Sequence, residues 1–412
     1  MISFKGLVGL LVLPTVIFIQ VMLHHFRGKG PYRKYHNSKY NASKLTVCKT
    51  IISMRVRDVH YLNLMSNKFQ LNLLLPTMYK SITSKMPGLG NRYDDNSLWI
   101  TTPETRSKSD PIVIYLHGGG FFLEASLPQY EAMLSIRHLL DPKVQKKTSF
   151  LLLDYKLASA GYPLPYQLNQ LADTYKKLTE EDGNSNIILM GDSAGGNLAI
   201  GFLQHLKKLN KPCTYPRSLV LISPWTKMSP DHHQRARGNS YGDNEHRDMI
   251  PFALGNPENL DWILGESRID DLVISPNNHP LSMTHWEDIP TLSEPNHSVF
   301  LLCGEDETFR DDVLEWAHYA VGLPHYNAHK YGDSNNEFCH EKHYYEKNDG
   351  KSPHVRAFVE PWGIHDASMF IEGWLAGEIK KNPSLTLKDV DREEHFGLVR
   401  IVEFLNDTLA SD

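Results

Sequence analysis

The stretch IILMGDSAGGNLAI, residues 187–200, decides how this chain is read. Four apolar residues, Ile187 to Met190, run straight into Gly191-Asp192-Ser193-Ala194-Gly195. A short continuous apolar run is the mark of a strand buried on both faces. G-x-S-x-G between a strand and a helix is the setting of a nucleophile elbow. Its turn is so tight that the neighbouring side chains must be small, which accounts for Gly191, Gly195 and Gly196. It lifts the Ser193 hydroxyl into the open and aims the Ala194 N–H where an oxyanion would form.

Upstream, IVIYLHGGGFF places His117-Gly118-Gly119-Gly120 after another strand-like run. Glycines let a backbone approach a ligand and turn its N–H groups inward. Gly118 and Gly119 are thus the expected partners of Ala194 in a three-donor oxyanion hole. A phosphate loop would carry Lys-Ser/Thr after the glycines; Phe121-Phe122 stand there instead.

A serine of this kind needs a base, and 21 histidines compete for the role. His365, in PWGIHDAS, follows the last strand-like run and precedes a helical one. The base needs a carboxylate to hold its tautomer. LLCGEDETFRDD supplies Glu305, Asp306 and Glu307 at the end of the preceding strand-like run. Serine, acid, histidine is the α/β-hydrolase order.

Around these motifs, strand-like runs (LWIT, IVIYL, SFLLLDY, NIILM, SLVLIS, SVFLLC, RAFVE) alternate with helical patterns from residue 98 onward. The expected fold is α/β, a mostly parallel sheet with helices on both faces. Residues 226–295, polar and rich in Pro, His and Asn, read as a cap or lid over a site, and 325–355 as a surface loop. The domain plan is an anchor at 1–25, a connector with cap helices at 26–94, and a hydrolase domain at 95–412.

Composition excludes other classes. A net charge of −5 with no basic stripe argues against nucleic acid as a partner. Four scattered cysteines form no framework, and Cys303 reads as a buried free thiol. Cys339, His340 and His343 lack a second ligand pair, so they read as a solvated loop; no metal and no organic cofactor is expected. Phe121, Phe122, Tyr162 and Trp225 fit either an apolar substrate pocket or core packing. Residues 7–23 are almost wholly apolar and no small-residue cleavage site follows, which favours an uncleaved signal anchor. The basic flank Arg27, Lys29, Arg33 and Lys34 points to a cytosolic domain, whereas sequons at Asn41, Asn296 and Asn406 point to a lumenal one.

The set resembles the hormone-sensitive-lipase family of α/β hydrolases. The resemblance rests on HGGG, LDYKLASAGYPLP at 153, GDSAGGNLA, SPW at 223, VISP at 273, GEDETFRDD and GIHD. It spans about residues 95–375 and maps the acid onto Glu307. Many members carry Asp there, which leaves Asp306 as the second choice. With its anchor the chain resembles the fungal steryl acetyl hydrolases, which implies deacetylation of sterol esters in the endoplasmic reticulum membrane with a lumenal domain. The alternatives are an arylformamidase or short-chain carboxylesterase, or a non-catalytic receptor or adhesion protein on the same fold.

Overall fold

The apolar runs are strands because each must fill two cores at once. β1 (Arg92–Asp94) and β2 (Ser97–Thr101) precede β3 (Ile112–Leu116), β4 (Ser149–Leu153), β5 (Ile187–Asp192), β6 (Ser218–Ile222) and β7 (Ser298–Gly304). Every residue from β2 through β7 that lies in a strand is buried. In β3, Ile112, Ile114 and Leu116 feed one core layer, while Val113 and Tyr115 feed the other. Alternation across the pleat therefore calls for apolar side chains at every position. The structure, a computed structural model, describes residues 2–27, 32–324, 331 and 335–409.

With β8 (Tyr344–Lys347) and β9 (His354–Glu360), one sheet forms in the order β1-β2-β4-β3-β5-β6-β7-β9-β8. Strands β3 to β7 and β9 are mutually parallel; β1, β2 and β8 pair antiparallel at the edges. Two edges differ from expectation. β1 lies before residue 95, inside the segment read as connector, and β8 lies inside 325–355, read as loop. Neither edge strand has the apolar run that betrays an inner one: both are partly exposed. Residues 325–330 and 332–334 of that loop lie outside the described residues.

The longer helices are α1 (Phe4–Arg27), α2 (Lys39–Ile52), α3 (Leu127–Leu139), α4 (Tyr166–Lys176), α5 (Ala194–Lys208), α6 (Arg310–Val321) and α7 (Phe396–Leu409). Helix α3 starts at a reciprocal cap between Ser126 and Gln129. Helix α6 stops at Gly322, whose φ of 73° ends the helix without a Cβ clash. Helices α4, α5 and α6 cover one face of the sheet, α3 and α7 the other. The insertion, residues 226–295, is packed down rather than free-standing. Asn197 of α5 donates to the carbonyls of Trp225 and Ile274, and Gln234 donates to Asp312 of α6.

Helix α1 runs antiparallel along α2. Near its start the Ser3 N–H donates to Asp58 at 2.7 Å; near its end Gln20 donates to the Ala42 carbonyl and accepts from Thr46. Residues Gly6–Leu23 are long and apolar enough to cross a membrane, and almost none of that surface is buried.

Candidate active site

Ser193 sits between the end of β5 and the start of α5 with φ 51° and ψ −114°. Such a conformation costs a non-glycine residue roughly 1–3 kcal/mol and persists only when its surroundings hold it. They do so by backbone bonds: Ser193 N–H donates to Ile222 O, and Ser193 O accepts from Asn197 and Trp225. The glycines have the expected reason. A Cβ on Gly195 would lie 1.8 Å from Leu116 O, and one on Gly191 would lie 2.4 Å from the Gly195 backbone.

His365 follows β9, as expected. Its Nε2 is 2.9 Å from Ser193 Oγ and its Nδ1 is 2.9 Å from Glu307 Oε1. A carboxylate can only accept, so Nδ1 carries a proton, and Nε2 in its unprotonated form accepts the serine's. All three side chains are buried. Burial alone would lower the pKa of His365; the neighbouring Asp366 and Glu307 carboxylates outweigh it and hold the imidazole well above its ordinary range.

The three acids after β7 diverge. Glu307 faces His365, while its other oxygen accepts from Ser223 Oγ and Gly304 N–H, each at 2.8 Å. Asp306, the second choice for the acid, faces away and is gripped by Arg33, with Arg247 3.6 Å off. Glu305 takes Lys342 and the Trp362 N–H.

Two supporting residues have no role that the sequence alone assigns. Asp248 in the insertion accepts the His365 N–H at 2.9 Å through Oδ1 and the Thr308 N–H at 2.8 Å through Oδ2. It thereby ties the histidine loop to the acid loop. Ser223, whose SPW motif was noted only as a resemblance, also accepts the Asp366 N–H at 3.1 Å.

The glycine loop corrects one expectation. Gly118 packs against Asp192, and its N–H holds that buried carboxylate together with Tyr115 and Gln129. Gly119 and Gly120 line the cavity at Ser193, and Gly118 does not. The Gly118 N–H is thereby turned to Asp192, and Gly119 and Gly120 are the glycines of the loop that face the cavity. Ala194, the first residue of α5, keeps its place beside the nucleophile with an N–H that no helical carbonyl reaches. His117 braces the loop: it stacks on Tyr155 and burial lowers its pKa to about 4, so it stays neutral.

The cavity at Ser193 measures about 190 Å³ and is mainly apolar. Its walls come from α2 (Cys48, Ile51, Ile52), the insertion (Met249, Ile250, Leu254) and the glycine loop (Phe122, Leu123). Among the aromatics named from sequence, Phe122 lines it. Phe121 is core, Trp225 is buried against Phe309, and Tyr162 leans on Tyr166. Cys303 is a buried free thiol. His343 accepts the Cys339 N–H, so those two residues close a local turn.

A hydroxyl, an imidazole and a carboxylate joined in this order at the strand ends define the class, esterases of the α/β-hydrolase fold. A solved esterase of the bacterial hormone-sensitive lipase family shares the fold with a TM-score of 0.50 at 20% identity, covering 89% of this chain and 98% of its own. The chain belongs to the steryl acetyl hydrolase family, whose profile matches residues 79–358. The putative steryl acetyl hydrolase mug81 of Schizosaccharomyces pombe is 28% identical over 332 residues, 77% of this chain and 84% of the relative. Steryl acetyl hydrolase 1 of Saccharomyces cerevisiae is 26% identical over 236 residues, 53% and 51% of the two chains. The protein is a carboxylic ester hydrolase.

Proposed function

We propose that this chain is a membrane-associated serine esterase that deacetylates acetylated sterols. The observation that carries this reading is the continuous relay from Glu307 through His365 to Ser193, opening into an apolar cavity. Ser193 attacks the ester carbonyl as His365 Nε2 takes its proton, and Glu307 steadies the resulting imidazolium. Gly119, Gly120 and Ala194 hold the oxyanion; one such donor is worth about 2.7–4 kcal/mol. The alcohol leaves with the proton from His365. A water activated by the same imidazole then releases acetate.

The size of the cavity supports a short acyl group. At about 190 Å³ it falls below the roughly 300–1,000 Å³ of typical ligand pockets, so a sterol's ring system extends beyond it. The membrane supplies the rest. Helix α1 exposes Leu11, Phe18 and other apolar side chains, and its partner α2 lines the cavity. Seating α1 in a bilayer as a single-pass anchor brings the site to the lipid that holds the substrate.

We place the domain in the lumen of the endoplasmic reticulum. Arg33 and Lys34, half of the basic flank, pair with the buried Asp306 and Glu360, so the folded domain needs them whatever its topology. The sequon residue Asn296 is exposed. The test is hydrolysis of a sterol acetate by microsomes carrying the protein or its Ser193→Ala variant. Release of acetate by the first alone supports the reading. Hydrolysis of simple aryl esters without sterol acetates favours the short-chain carboxylesterase instead.

A further inference from the structure

Asp366 follows the base in sequence and stands on the opposite edge of its ring from Glu307. Its φ of 50° is left-handed, unusual for a residue other than glycine, and its N–H is held by Ser223 Oγ. In this conformation Oδ2 lies 3.2 Å from His365 Nε2, the atom that also meets Ser193 Oγ at 2.9 Å. The side chain is 2% exposed and lines the cavity. Its other oxygen, Oδ1, is buried without a hydrogen-bond partner. A buried carboxylate with one oxygen beside a reacting atom and the other orphaned calls for a reason.

We propose that Asp366 is a second carboxylate of the catalytic site, which competes with the Ser193 hydroxyl for His365 Nε2 and so sets the pH below which the esterase is off. The inference rests on the serine-esterase reading given above. With one proton held between Nε2 and Oδ2, and another on Nδ1 facing Glu307, Ser193 has no base. Loss of the Nε2 proton to water frees that lone pair to accept from Ser193 Oγ, and leaves Asp366 as an anion. The same anion then stabilises the imidazolium formed in the transition state, which makes His365 a stronger base.

The surroundings favour retention of that proton. The groups facing Asp366 are His365, Asp192 with its partner Tyr115, and Glu307; Asp248 faces the histidine from the insertion. All except the imidazole are acids. Burial raises Asp366, opposed by His365 and reinforced by Asp192, and His365 is itself held high. The pair as a unit therefore keeps a proton to higher pH than a free imidazole. The sign follows: activity is present above this raised pKa and is lost as pH falls through it.

The experiment has two arms. The rate at which a fluorophosphonate labels Ser193 in the wild-type protein is followed against pH, and kcat/KM is followed for wild type and Asp366→Asn. The expected labelling midpoint lies well above the roughly 6.5 of a free imidazole. In D366N the acid limb moves down by at least about one pH unit, since the negative charge at Nε2 is gone. A wild-type midpoint at or below the free-imidazole value, or a limb that D366N leaves in place, overturns the proposal while Ser193 still labels. Absence of labelling at every pH overturns the esterase reading itself. The wild-type arm stands even if the variant fails to fold.

Discussion

Arg33 grips Asp306 with two guanidinium nitrogens, Nε meeting Oδ2 at 2.7 Å, across 273 residues of chain. This forked, charge-assisted bond takes Asp306 out of the site and leaves the adjacent Glu307 to face His365. The two neighbours therefore separate by experiment. Glu307→Gln is expected to lower kcat by about 10³–10⁴-fold with the fold retained, the scale seen when a triad loses its carboxylate charge. Asp306→Asn is expected to leave kcat within about threefold and to lower stability by roughly 1.5–3 kcal/mol, the worth of a hydrogen bond to a charged group. Steady-state kinetics and urea unfolding check both.

Asp248 carries a second prediction. Its Oδ1 accepts the N–H groups of His365 and of its neighbour Met249, and its Oδ2 accepts that of Thr308. An asparagine side chain there would offer one acceptor and one donor, so one of the two loops would meet a repelling N–H. In Asp248→Asn, kcat should fall by about 10–100-fold, the cost of misplacing a reacting group by around 1 Å, with a smaller change in KM. Kinetics equal to wild type would show that the insertion does not position the base.

The wall contributed by α2 gives a third. Ile52 lines the small cavity beside Ser193. Ile52→Trp should fill it and cut hydrolysis of longer-chain acyl esters at least about tenfold relative to acetyl esters, because a mismatch of even one methylene is worth about 1–3 kcal/mol. A chain-length series of aryl esters reads this ratio directly.

Glycan mapping supplies a fourth. Asn296 is exposed, whereas Asn406 sits in α7, 8% exposed, with its side-chain oxygen bonded to the Asp141 N–H at 2.8 Å. With a lumenal domain, Asn296→Gln should remove an endoglycosidase-sensitive mobility shift that Asn406→Gln leaves intact. A protein carrying no glycan at Asn41 or Asn296 in microsomes contradicts the lumenal placement.

These expectations differ in how far the sequence could supply them. Ser193 was legible because a tight turn admits only glycine at Gly191 and Gly195, a backbone requirement written in residue type. The inner strands were legible because burial on both faces leaves continuous apolar runs. His365 followed from chain order, which left Glu305, Asp306 and Glu307 open as the acid; only the family resemblance pointed to Glu307. Gly118 misled, since three adjacent glycines look alike in sequence and only packing shows which one Asp192 claims. Asp248 and Arg33 act through contacts 117 and 273 residues away, and nothing local marks them. Helix α2 gave no hint of lining the cavity, because its cavity-facing Cys48, Ile51 and Ile52 look like any apolar stripe. Edge strands β1 and β8 and the closing helix α7 carry no motif at all.

The central claim is that the Ser193 hydroxyl is made nucleophilic by His365. Mass spectrometry of the fluorophosphonate-treated protein tests this most directly. The account predicts an adduct on Ser193 in the wild-type chain and its near-complete loss in folded His365→Ala. An adduct forming on Ser193 at equal rates in both, or no adduct on folded wild type at alkaline pH, would contradict it.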